Sequence, residues 1–217
     1  MLSDLTNYLP HIFYIIEGSL VTLKYSIFAV FFGLIIGIIL AALKVSKHAI
    51  LRIFADCYTS IFRGTPLLIQ LSLVYFALPV LIGIKLSIFT AGVLAFSLNS
   101  GAYVSEIIRA GINSVDKGQF EAAWSLGISR YLTMKDIILP QAIRNIFPSL
   151  VNELINLLKE SALISTLGEM DLMRRAQVVQ ADTFNYFAPM LSAAATYYVL
   201  VLLISSFGKI IEKRLAL

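Results

Sequence analysis

The chain of 217 residues has one cysteine, two histidines and one tryptophan, and only 14% of it is charged, against roughly 25% in soluble domains. A lone cysteine, Cys57, excludes an internal disulfide and every multi-cysteine metal site. It reads as a small buried apolar residue. His11 and His48 stand apart, near the ends of the first apolar stretch, so no paired metal site is assigned. No G-x-x-x-x-G-K-[ST], H-E-x-x-H or G-x-S-x-G string occurs, which leaves the chain without a phosphate loop and without an assignable catalytic residue. Residues 1–17 hold no Lys or Arg, the basic region a cleavable signal peptide needs, so this segment is expected to be retained. What abounds is apolar. Hydrophobic residues make up 59% and mean hydropathy is +0.85, which excludes a soluble domain.

Five apolar stretches, about 20–43, 55–84, 86–108, 143–165 and 188–207, each suffice to cross roughly 30 Å of hydrocarbon as a helix. The expectation is an all-α membrane protein of one domain, 1–217, in which Pro66 and Pro79 bend the second span. Net charge is +4, and where the basic residues sit reads as membrane orientation rather than nucleic-acid binding. The segments 44–52, 109–144 and 209–217 hold eleven Lys and Arg, against Lys85, Arg174 and Arg175 on the other side. That asymmetry predicts the N-terminus outside and the C-terminus in the cytoplasm. Two connections exceed what a hairpin needs, 109–141 inside and 166–187 outside, and loops of that size tend to be functional.

The fourth stretch carries Asn145, Ser149, Asn152, Glu153, Asn156, Lys159 and Glu160, which at 100° per residue fall within an arc of roughly 120°. Two readings stay open. The stripe packs on neighbouring helices, with Lys159 paired to a carboxylate such as Glu160, or part of it lines a path for a polar solute. Glu153 and Asn156 lie near mid-depth, where transporters hold their solutes. Asn99 and Ser100, mid-span in the third stretch, and Thr65 beside Pro66 are further candidates for that path. Thr65 reads equally as a hydroxyl that satisfies backbone near a proline. Glu106 and Arg109 read as a helix-surface ion pair, and Lys24 as a snorkelling side chain. An embedded enzyme would need a nucleophile and base at one depth, which the spans lack, and a passive channel would not need the long inner loop.

Within that inner loop Phe120, Trp124, Ile128 and Tyr131 recur at helical spacing, and Gly127 offers a point where one short helix ends and another turns away. A membrane-surface amphipathic helix is the plain alternative. The order Ile112, eight residues, Glu121-Ala122-Ala123, three residues, Gly127, then Leu139-Pro140 resembles the inner-loop signature of permease subunits of type I ATP-binding-cassette importers. The strings RGTPLLIQ from Arg63, NSGAYVSEIIRAGI from Asn99, LPQAIRNIFPSLVNE from Leu139 and LLKESALIS from Leu157 are similar to the branch serving polar amino acids.

That resemblance, which covers nearly the whole chain, implies a coupling loop at about 109–141 in which Glu121, Ala122, Ala123 and Gly127 dock on a pair of cytoplasmic ATP-binding subunits. ATP and Mg would be bound and hydrolysed there, with no cofactor on this chain. It also implies a second permease subunit, identical or similar, and a periplasmic or extracellular solute-binding protein docking on the charged outer connection 166–187. The cell inner membrane is the implied location. The implied cargo is a polar amino acid, with glutamine first and arginine or histidine as the alternative.

Overall fold

The structure is a computed structural model that describes the backbone of residues 2–215 and the side chains of 8–214. Helices are α1 (Leu2–Glu17), α2 (Ser19–Lys44), α3 (Ala49–Gly64), α4 (Leu67–Ser72), α5 (Leu78–Ile82), α6 (Ile88–Asn113), α7 (Lys117–Ser125), α8 (Arg130–Leu132), α9 (Leu139–Glu160), α10 (Leu172–Thr183) and α11 (Phe187–Leu215). Among the described residues there is no strand. Two π-helical turns, Leu73–Ala77 and Thr133–Ile138, each lie just before a proline, Pro79 and Pro140. A proline ring crowds the carbonyl four residues back and brings no N–H, and the wider turn relieves both.

Among the described residues, three helical runs are long and apolar enough to cross a membrane: Tyr8–Lys44, Ile88–Asn113 and Phe187–Arg214. The first, at 37 residues, is about 55 Å long, more than one bilayer needs. Its α1 end instead packs on α10 and α11, through Ile15, Leu172, Ala176, Val179 and Ala193. Gly18 marks the junction of α1 and α2, and a Cβ there would lie 2.7 Å from the Leu172 backbone.

The second expected span, 55–84, is not one helix. Ala49–Gly64 and Leu67–Ile82 meet at 104°, the geometry of a broken span or of a re-entrant loop. Thr65, forced by the proline after it into extended backbone at φ −122° and ψ 145°, makes the corner. The fourth expected stretch, 143–165, is helix α9 up to Glu160 and a tighter 3-10 segment from Ser161 to Leu167. Its polar stripe keeps it below the apolarity of the other spans.

The core forms where α2 lies along α6. Gly33 faces Ser100, Gly37 faces Val104 and Gly101 faces Ile36, each so close that an added Cβ would come within 2.7 Å of the opposing side chain. Small residues let backbones approach where no hydrophobic effect drives helices together. Tyr25, Ala29, Leu67, Leu71, Phe96, Leu157 and Ile164 fill the centre of this pair and tie in α4 and α9. Cys57 is exposed, contrary to the buried reading. It sits on α3, where Ala55 and Thr59 are buried, Tyr58 and Phe62 are half-buried beside them, and Cys57 falls on the exposed side.

Candidate translocation site

The seven polar residues of α9 divide sharply. Asn145, Ser149, Asn152, Asn156, Lys159 and Glu160 are exposed, and Glu153 is 7% exposed. Glu153 lies at one edge of the arc, so its carboxylate turns toward α6, and Ser100 Oγ donates to Glu153 Oε1 at 2.8 Å. The apolar back of α9 packs on α2, α6 and α11. A polar stripe of this length is costly against lipid, so its open face belongs to a water-filled path or a protein partner. Lys159 forms no ion pair among the described residues, which leaves the expected pairing with Glu160 unmade.

Asn99 and Thr65, two other candidates, are engaged elsewhere. The carbonyl of Phe62 would ordinarily accept from the N–H four residues on, but that residue is Pro66. Two side-chain amides fill the gap: Gln70 Nε2 donates to the Phe62 carbonyl at 2.9 Å and Asn99 Nδ2 at 3.0 Å. Gln70 also donates to the Thr65 carbonyl at 3.0 Å and Thr65 Oγ1 at 2.8 Å, while Asn99 donates to Gln70 Oε1 at 2.9 Å. Thr65 Oγ1 in turn donates to the Ile61 carbonyl at 2.9 Å. Thus Asn99 and Thr65 clamp the α3–α4 corner, and the next residue along α6, Ser100, holds Glu153. Gln70 is the residue sequence reasoning missed. Its signal was a buried-span amide eight residues after a carbonyl that a proline orphans.

Near the C-terminal end of α6, Glu106 is the hub of a network wider than the expected pair with Arg109. Arg109 donates twice to Glu106 Oε2, at 3.0 and 2.7 Å, and Lys44 donates to Oε1. Lys44 also donates to Thr59 Oγ1 at 2.9 Å and lies 3.5 Å from Asp56. Helices α2, α3 and α6 are thereby tied together at one end. Lys24 lies 4.2 Å over the Phe89 ring with its side chain exposed, as a snorkelling residue does.

The connection 109–141 holds a pair of short helical segments around Gly127. Asp116 caps α7 by accepting from Gly118 N–H at 2.6 Å. At its other end Ile128 N–H donates to the Ala123 carbonyl and Gly127 N–H to the Trp124 carbonyl, both at 3.0 Å, with Gly127 at φ +74°. This is the double-bonded helix stop that a left-handed glycine permits. Glu121, Ala122 and Gly127 lie on the open face with Trp124, Leu126 and Tyr131. Ala123, at 2% exposure, is turned inward.

Much of the charge of the connection 166–187 is used internally. Asp171 is fully buried and caps α10, accepting from Arg174 N–H at 2.9 Å and Met173 N–H at 3.3 Å. Burial pushes its carboxyl up to about 6, although those N–H groups pull the other way. Arg175 pairs with Glu17 at 2.7 Å and donates to the Tyr14 carbonyl at 3.0 Å. Asp182 stays exposed, beside the projecting aromatics Phe184, Tyr186 and Phe187.

A helical membrane domain with a polar stripe, a buried carboxylate within it and an exposed glycine-hinged elbow is the membrane component of a transporter. The chain belongs to the family of binding-protein-dependent transport system inner membrane components, whose model matches residues 33–217. It is a transporter subunit and not an enzyme. Across 215 residues it is 68% identical to GlnP of Rickettsia conorii, named as a glutamine transport system permease protein, with 99% of both chains covered. It is 51% identical to the arginine transport system permease protein ArtQ of Bacillus subtilis, over 98% of this chain and 97% of that one. A solved amino acid ABC transporter with histidines superposes with a TM-score of 0.90 at 43% identity, covering 99% of this chain and 98% of that one.

Proposed function

We propose that this chain is the permease subunit of an ATP-driven importer that carries a polar amino acid, glutamine first, into the cytoplasm. The observation that carries the reading is Glu153: one carboxylate buried at the edge of an otherwise open polar stripe and held by a single hydroxyl bond. It has free acceptor capacity for the α-ammonium of a solute, and Asn156, one turn on, offers an amide to a carboxylate or side-chain amide. Ser100 orients the carboxylate, and Asn99 and Thr65 support the corner beside it.

Five crossings, with the broken α3–α5 unit and α9 as two of them, accord with the N-terminus outside and the C-terminus in the cytoplasm. The elbow of Glu121, Ala122 and Gly127 would then face a pair of ATP-binding subunits, with Ala123 packed behind it. These subunits bind and hydrolyse ATP with Mg. A second permease subunit would cover the open stripe of α9, a solute-binding protein would deliver cargo to the outer connection, and the whole would sit in the cell inner membrane. The likeness to ArtQ, and a carboxylate suited to a cation, favour a basic amino acid as the second cargo.

ATP-dependent uptake by vesicles holding permease and ATPase, with the matching binding protein and a panel of amino acids, tests the reading. Glutamine uptake that Glu153→Ala abolishes is the expected result. Absence of any amino acid uptake by the unaltered complex overturns it.

A further inference from the structure

A cavity of about 460 Å³ opens between α3, α6 and α9, lined by Arg63, Tyr103, Glu106, Arg109, Asn145 and Ser149, with Ser114 at its rim. Its volume is in the range of small-molecule sites. Charge within it is unevenly satisfied. Glu106 is neutralised by two hydrogen bonds from Arg109 and one from Lys44. Arg63 lies 3.9 Å from the same carboxylate, beyond hydrogen-bond length, and forms no hydrogen bond among the described residues. Its guanidinium rests 5.5 Å over the Tyr103 ring. A planar fork of donors thus lies beside an aromatic ring with its hydrogen-bonding edge unspent among the described residues, and such a fork can receive a carboxylate.

The other lining groups fit the same ligand. Asn145 and Ser149 belong to the exposed stripe of α9, so the cavity is the inner end of the face that carries Glu153. Asn145 already donates to Ser114 Oγ at 2.8 Å, which leaves its carbonyl and the Ser149 hydroxyl for an ammonium or an amide. Eight residues of helix separate Asn145 from Glu153, about 12 Å. Ser149, at the near end of the cavity, is four residues from Glu153, about 6 Å, so the cavity starts beside Glu153 and its Asn145 end is a second station along the same face.

We propose that this cavity is an exit subsite for the transported amino acid, with Arg63 binding its α-carboxylate after the solute has left Glu153. The proposal rests on the amino acid importer reading above. Arg63 is also in the last turn of α3, directly before the 104° corner. Any movement of that corner carries the guanidinium with it, so release would follow the same motion that reshapes the path.

The test uses the nucleotide-free permease–ATPase complex in nanodiscs, with radiolabelled L-glutamine and L-arginine as probes. In the Glu153→Ala complex a weaker binding component should persist that the amino acid occupies and its α-amide does not. Adding Arg63→Gln should weaken it at least about tenfold, the order expected for a charged hydrogen bond. Arg63→Lys should weaken it less, and Asn145→Asp, which places a carboxylate in the cavity, should abolish it. In vesicle uptake Arg63→Gln alone should lower kcat and leave the KM for the loaded binding protein unchanged.

The proposal is overturned if the component is missing, if the α-amide competes equally, or if Arg63→Gln leaves it unaltered. It is equally overturned if Arg63 responds only to the anionic lipid content of the nanodisc. Uptake by the unaltered complex, measured in parallel, shows whether the subsite alone has failed or the importer reading with it.

Discussion

Ser100 Oγ donates to Glu153 Oε1 at 2.8 Å, joining the centre of α6 to the centre of α9. Both residues are buried, and Ser100 is fixed from behind by Gly33 of α2, where an added Cβ would lie 2.7 Å from the Ser100 hydroxyl. Three helices therefore determine where one carboxylate stands.

Removing that carboxylate should stop transport without unfolding the protein. Glu153→Ala should lower ATP-dependent amino acid uptake at least about tenfold, the loss of one charged contact. Glu153→Gln, which keeps an acceptor for Ser100, should preserve thermal stability and depress arginine uptake more than glutamine uptake. Undiminished uptake of both solutes by the Gln variant would remove Glu153 from the solute's path. Gly33→Val should reproduce the transport defect by displacing Ser100.

The corner clamp predicts a stability defect. Asn99→Leu and Gln70→Leu each strip a donor from the Phe62 carbonyl, at a cost of about 1–3 kcal/mol for a buried polar group left short. Their combined effect should be less than the sum, because the two amides bond each other. Thermal unfolding in detergent of the two single variants and the double variant measures that coupling. Strict additivity would show that the amides act independently.

Gly127 predicts the opposite pattern. Its φ of +74° strains any side chain, by about 1–3 kcal/mol, yet nothing lies within 4 Å of an added Cβ. Gly127→Val should therefore distort the elbow locally. The yield of ATPase subunit that copurifies should fall severalfold while the thermal midpoint of the permease moves little. Full recovery of the ATPase subunit would separate this elbow from the coupling contact.

Asp171 predicts a pH dependence in the outer connection. Its folded carboxyl titrates near 6 against an ordinary 3.8, so the folded state binds the proton more tightly than the unfolded state. Its contribution is complete below pH 3.8 and is lost as pH rises through about 6. Asp171→Asn keeps one capping oxygen and does not titrate. The variant should gain stability relative to the unaltered protein between pH 5 and 7, by up to about 3 kcal/mol. Thermal midpoints at the two pH values check the sign, and a gap that narrows as pH rises would refute it.

What was legible in the sequence was local. The membrane class, the run of α2 from Ser19 to Lys44 and the apolar back of α9 follow from composition and a 3.6-residue period. The helix stop at Gly127 follows from a backbone conformation that few other residues adopt. The dual reading of Thr65 was also correct in its plainer half, since its hydroxyl serves the backbone of Ile61. The bend in 55–84 was also legible, from Pro66, but its angle of 104° was not, because hydropathy and a proline do not fix how far the chain turns. Asp56, Thr59 and Glu106 gave no sign of converging on Lys44, because that partner lies on another helix.

By itself, then, the sequence determined that this chain lives in a bilayer, carries a polar stripe on one helix and exposes a hinged elbow, since periodicity and glycine stereochemistry act within a few residues. Only the tertiary structure decided that Glu153 alone of the stripe is buried, that Asn99 serves the corner while Ser100 serves the carboxylate, and that Arg63 makes no hydrogen bond among the described residues. Burial and hydrogen-bond pairing are properties of neighbouring helices, and two positions adjacent in sequence can face different ones.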